Sequence, residues 1–290
     1  MKLSQACLGV LLLCGSLGAA ALEPYVHADR QAAADLTGQM ARVEQKLTAA
    51  GFSVVGRHQP PGLPDRGTLI VTDKGLLEAV RGAGIMAAPL RVGVSADGQI
   101  SYANPEYWLR ALLRGQPEVA GRLGSSLRER LGQALGAGKA FGGNVPAADL
   151  PDYRYMIGME RFETRAELRD LASFDEALKT VRDNLAAKVG KTLKVYEIVL
   201  PERRVAVFGV AMNDSSQGEG WWVPRIGADH MAALPYEVYI VDGKIMSPFG
   251  RYRIALGWPA LGMGTFMGIV NAPGIIQATL GQVAGASPAN

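Results

Sequence analysis

The side chains best suited to chemistry gather between Asn213 and His230. They are Asn213, Asp214, Glu219, the adjacent Trp221 and Trp222, then Arg225, Asp229 and His230. An arginine grips a carboxylate or a sulfur oxyanion through two parallel hydrogen bonds. A histidine beside an aspartate is expected to titrate close to neutral pH. Two neighbouring tryptophans in a Gly/Ser-rich loop cannot both point to one face of a strand. One is expected in the core and the other at a cleft or a partner surface. Asn213, Asp214, Trp221, Trp222, Arg225, Asp229 and His230 therefore form the candidate ligand-binding set, since loops carry function more often than cores. The competing reading is a decorated strand connection with one core tryptophan.

Other chemistries find little support. His27, His58 and His230 are the three histidines, none spaced three or four residues from another, so no metal site is expected. Gly93-Val-Ser95-Ala-Asp97 lacks the second glycine of a nucleophile elbow. Gly132 to Lys139 is one residue too long for a phosphate loop, and Ala140 stands where Ser or Thr would meet magnesium. Gly262, Gly264 and Gly268 miss the dinucleotide fingerprint by one position. No catalytic residue and no cofactor is assigned. Glu160, Glu163 and Glu167 interleave with Arg161, Arg165 and Arg169, which reads as a solvated, ion-paired helix face.

The composition narrows the partners. Of 290 residues 48% are hydrophobic and 20% charged, with a net charge of +3. That excludes a disordered polyelectrolyte and gives no dense basic face for nucleic acid. Met1-Lys2, the apolar run Leu8 to Leu17 and Ala19-Ala20-Ala21 form the three parts of a signal peptide over residues 1–21, cleaved near Ala21. A periplasmic or secreted location follows. Cys7 and Cys14 both lie in this leader, so the mature chain is expected to hold no disulfide and no thiolate site.

Elements repeat along the chain. Leu36, Met40, Val43 and Leu47 make one helix face ending at Gly51. Phe174, Leu178, Val181 and Leu185 repeat that spacing behind a capping box of Ser173 and Glu176. Strand pairs follow each: Phe52–Val55 with Thr68–Thr72, and Leu193–Val199 with Val205–Met212. Met86-Ala-Ala-Pro89 leads to Val92, Val94, Asp97-Gly98 and Ile100. Met231-Ala-Ala-Leu-Pro235 leads to Val238, Ile240, Asp242-Gly243 and Ile245. Each is a hairpin around an Asp-Gly turn. Opening strands are expected at Pro24–His27 and Tyr153–Met159. Closing helices are expected over Val119 to Leu135 and between Phe266 and Val283. The expected class is α+β: two homologous units, 22–135 and 153–290, each a curved antiparallel sheet backed by helices. A Gly/Ala/Pro linker, 136–152, would join them.

This order of elements resembles the family called domain of unknown function 302, with its TATA-box-binding-protein-like topology. The residues that carry the resemblance are the helix before Gly51-Phe52, Pro89 to Ile100, Ser101-Tyr-Ala-Asn-Pro105, and Leu234-Pro235 to Ile245. The resemblance implies a fold and no reaction. Many members place a Cys after that Leu-Pro, where this chain has Leu90 and Tyr236, so no thiol role carries over.

After Arg253 no charged side chain follows to Asn290. Pro259, Pro273 and several glycines argue for a buried closing helix and loop rather than a membrane span, with peripheral membrane contact as a further reading. The functional expectation is a non-catalytic binding or accessory protein for a small or apolar molecule or a partner protein, such as an envelope protein, with any site in the second unit. The alternatives are an enzyme for a small anionic or sulfur compound around Arg225, Asp229 and His230, and a structural interaction module.

Overall fold

The computed structural model describes residues 20–155, 158, 160–162, 165–227 and 229–286. Residues 1–19 of the expected leader lie outside them. In chain order the first half holds β1 (Ala21–Leu22), β2 (Tyr25–His27), α1 (Leu36–Ala49), β3 (Ser53–His58), β4 (Arg66–Thr72) and α2 (Lys74–Ala79). A 3-10 segment, Gly82–Ala87, leads to β5 (Leu90–Ser95), β6 (Ile100–Ala103), α3 (Pro105–Leu112) and α4 (Pro117–Leu135). β7 (Ala140–Phe141) and β8 (Val145–Pro146) follow. The second half holds β9 (Arg165–Asp170), α5 (Phe174–Ala186), β10 (Thr192–Leu200), β11 (Val205–Met212) and α6 (Glu219–Ile226). A 3-10 segment, Met231–Ala233, leads to β12 (Tyr236–Val241), β13 (Lys244–Pro248), α7 (Gly250–Gly257), α8 (Met263–Met267) and α9 (Ala272–Val283).

The fold is α+β, with antiparallel sheets backed by helices. Its sheets run β3-β4-β5-β6-β2-β7 and β10-β11-β12-β13-β9, and β1 pairs with β8. Apart from β7, the second order repeats the first strand for strand. The edge strands β3 and β10 each carry a bulge at the matching place, between Val54 and Gly56 and between Lys194 and Tyr196. Opposite these, Ile70 pairs with Arg91, and Gly209 pairs with Glu237. Arg91 and Glu237 thus hold the same register position in the two sheets.

Local chemistry explains the elements that were expected. Asp35 caps α1 by accepting the Gly38 amide at 2.8 Å, and Ser173 caps α5 by accepting that of Glu176 at 3.2 Å. Leu36, Val43 and Leu47 are buried on α1, as are Phe174, Leu178, Val181 and Leu185 on α5. Met40 is only half-buried. Gln39 is buried instead, and donates to the Ala32 carbonyl at 2.5 Å.

Several elements differ from expectation. Among the described residues the first strand of the second half is β9, and Tyr153 to Tyr155 of the expected Tyr153–Met159 strand join no sheet. Tyr153 ends a 3-10 turn, and Met156, Ile157 and Met159 lie outside the described residues. The charged run is therefore partly a strand and not a helix face. Half-buried Ala166 and Leu168 alternate with exposed Glu167 and Arg169, the period of an edge strand. Lys244 of β13 completes it across the ladder, 2.9 Å from Glu167 and 3.5 Å from Asp170. The 136–152 segment holds β7 and β8, which extend the first sheet and pair with β1. The Trp-bearing stretch folds as α6 rather than a loop. α3 is an unforeseen helix: the Asn104 side chain accepts the Glu106 amide at 3.2 Å, and Pro105 opens the first turn. Ala272, Ile276, Leu280 and Val283 of α9 are buried, as a closing helix requires. Among the described residues no helix is long and apolar enough to cross a membrane.

Candidate functional site

The expected site residues are dispersed among separate partners. Asn213 donates its backbone N–H to the Lys191 carbonyl at 3.0 Å. Asp214 accepts from Lys191 Nζ at 2.7 Å and from the Ser216 amide and hydroxyl at 2.9 and 2.7 Å. These donors, Lys191 foremost, hold its carboxyl far below the usual range. Arg225 is exposed and turns back on its own helix. Its Nη1 donates to the Trp221 carbonyl, and its guanidinium stands 4.8 Å from the Trp221 ring centroid. Asp229 is exposed and accepts from Arg66 at 2.7 Å. Trp221 is half-buried. Trp222 is fully buried and meets Tyr236 and Trp258 edge-on, at 5.4 and 5.9 Å between ring centroids. One tryptophan thus goes to the core, although from a helix and not from the expected loop.

His230 overturns the expectation of a group titrating near neutral pH. Its ring packs edge-on against Tyr25 and Phe141 at 5.2 and 5.4 Å and beside Trp258 at 5.9 Å. Burial pulls it down to about 4; Asp229 opposes this and His27 adds to it. The imidazole is neutral at pH 7.

A buried acid that the expected binding set left out is Glu219, at the start of α6. Its Oε2 lies 2.6 Å from His58 Nε2, and both side chains are almost wholly buried. The next residue must be glycine, because a Cβ on Gly220 would strike the Pro61 carbonyl. Glu219 and Gly220 thereby seat α6 against the 58–63 segment of the first half. Among the described residues no group of three potential metal ligands occurs.

The centre of the molecule is a charged cluster closed to solvent. Glu237 on β12 accepts from Arg91 on β5 and from Arg253 on α7, the latter through Nε at 3.0 Å and Nη2 at 3.1 Å. Arg253 Nη2 also donates to the Ala233 carbonyl at 2.7 Å. None of the three is more than 2% exposed. Two guanidinium groups face one carboxylate, so one positive charge is left over. Aromatic faces receive it: Arg253 lies 4.9 Å from the centroids of Trp108 and Tyr236, and Arg91 lies 5.9 Å from Trp108. Burial pulls Arg91 down to about 10, still charged at pH 7, and pushes the Tyr25 and Tyr236 phenols far up.

An accessible apolar feature lies elsewhere, on the charge-free C-terminal stretch. A groove of about 170 Å³ opens between α7 and α8. Ile254 and Ala255 come from α7, Trp258 and Leu261 from the turn after it, and Met263 and Phe266 from α8. Tyr155 joins the rim, donating to the Leu261 carbonyl at 3.4 Å. Among the described residues Arg251 is the one charged member of the lining. Beside the groove Met263, Met267 and Val270 are 50%, 59% and 47% exposed, unusual for such side chains. Trp258 links the groove to Trp222, so the groove reaches the Trp pair only through a neighbour. The sequence marked this stretch as odd without naming a site residue in it, because groove and closing helix share one apolar composition. Comparison with protein-family models, with curated proteins and with solved structures finds no match to this chain.

Proposed function

We propose that this is an exported, non-catalytic binding protein built from two copies of one unit, and that its second half holds a small apolar molecule in the groove between α7 and α8. The groove carries the reading. Its walls are Ile254, Ala255, Trp258, Leu261, Met263 and Phe266, the setting in which binding follows apolar burial. The repeated strand order supports the two-copy origin, and the leader pattern of residues 1–21 supports export. A reaction centred on Arg225, Asp229 and His230 has less support. Arg225 is held by Trp221, Asp229 by Arg66, and His230 by a ring of aromatics.

The test is the fluorescence of N-phenyl-1-naphthylamine, which brightens in apolar surroundings. Enhancement that saturates with the wild-type protein and is lost in Ala255→Trp, a variant that fills the groove, is the expected result. The Ala255 side chain is half-buried, and near-UV circular dichroism would confirm that the variant is folded. Equal enhancement by both proteins, or none by the wild type, would overturn the reading.

A further inference from the structure

We propose that the ligand of this groove is an amphipath with one alkyl tail and an anionic head, and that Arg251 is the head-group anchor. The proposal rests on the groove being a binding site and goes on to name its ligand class.

Arg251 stands in the first turn of α7, and its neighbours along the lining are apolar. Its side chain is 52% exposed, so a head group held there keeps contact with water while a tail enters the groove. One guanidinium nitrogen, Nη2, donates to Glu160 Oε1. A guanidinium carries five N–H donors in a planar fork, so the rest of the group is open to a second acceptor. Glu160 is only 14% exposed and fixes the arginine over the groove mouth. Beyond Arg253 the sequence has no Asp or Glu to Asn290, so the walls made by residues 254–266 bring no acidic side chain to compete for Arg251. A cationic head would meet Arg251 unfavourably, and a neutral one would gain little from it. An anion completes the fork.

The walls suit an alkyl tail. Met263 is unbranched and adapts to chains of differing length. Each buried methylene should tighten binding about fourfold, until the groove is full.

Trp258 in the wall is the reporter. Its fluorescence is to be followed with 12-bromododecanoate and 12-bromododecanol, both below their aggregation limits, since bromine quenches indole on contact. The expected result is quenching by both in the wild type, with the carboxylate bound at least tenfold tighter at pH 7. Arg251→Gln should abolish that preference and leave the alcohol affinity within twofold. Trp258→Phe should remove most of the quenching. Equal affinities in the wild type, or a preference that survives Arg251→Gln, would overturn the head-group assignment while leaving the groove as an apolar site. No quenching by either compound would overturn both readings. Sedimentation with phosphatidylglycerol vesicles, without quenching by the free acid, would assign the surface to a membrane and overturn the proposal.

Discussion

Glu237 decides the charge balance of the interior. Two arginines share it, and each meets the other's partner in a medium that screens poorly. Glu237→Gln preserves the shape but leaves two like charges buried, and removing one partner of such a pair costs about 3–5 kcal/mol. Arg91→Met leaves Glu237 balanced by Arg253 and removes the surplus charge, so it should cost less than half as much. Urea denaturation at pH 7 separates the two variants, and the opposite order would refute a surplus positive charge. Nothing in the sequence foretold this cluster. Arg91 and Glu237 are 146 residues apart and read locally as ordinary strand positions. His230 shows the same limit from the other side. Its neighbour Asp229 predicted a near-neutral group, yet the aromatic rings that Tyr25 and Phe141 bring from the first half desolvate it.

Among the elements, the two matching bulges matter most. They bring β3 and β10 together where the sheet edges meet. A Cβ on Gly56 would lie 2.7 Å from the Val195 carbonyl oxygen and 2.8 Å from Tyr196 Cβ. The first is backbone and cannot turn aside. Gly56→Ala should therefore cost about 1–3 kcal/mol by overpacking. Gly115→Ala, where nothing stands within 4 Å, should be nearly neutral. Chemical denaturation of both variants checks the contrast. The periodic elements, α1, α5, β11 and both Asp-Gly hairpins, were legible because their patterns are local. β9, α3 and α6 were not. Alternating charges on β9 imitate a helix face, Asn104-Pro105 starts a helix inside a turn-like string, and α6 carries Pro224 in a Gly-rich neighbourhood.

Hydrogen bonds tie the two halves together. Tyr25 donates to the Gly257 carbonyl at 2.7 Å and Tyr107 to that of Leu256 at 2.9 Å. Thr68 donates to the Met231 carbonyl at 2.8 Å, and Arg203 reaches back to the Leu77 and Val80 carbonyls. Scanning calorimetry should show a single transition with equal calorimetric and van't Hoff enthalpies. Two resolved transitions would show that each half is stable alone, despite the charges it would expose. The sequence by itself determined the mixed α+β class, the repeated helix, strand-pair and hairpin order, and the apolar C-terminal stretch, because periodicity and turn residues act over a few positions. Only the tertiary structure decided that the Asn213–His230 residues take separate partners, that Arg91 meets Glu237, and that Arg251 overlooks a groove. Those outcomes depend on how distant surfaces dock, and docking is set by shape and burial summed over both halves rather than by any local pattern.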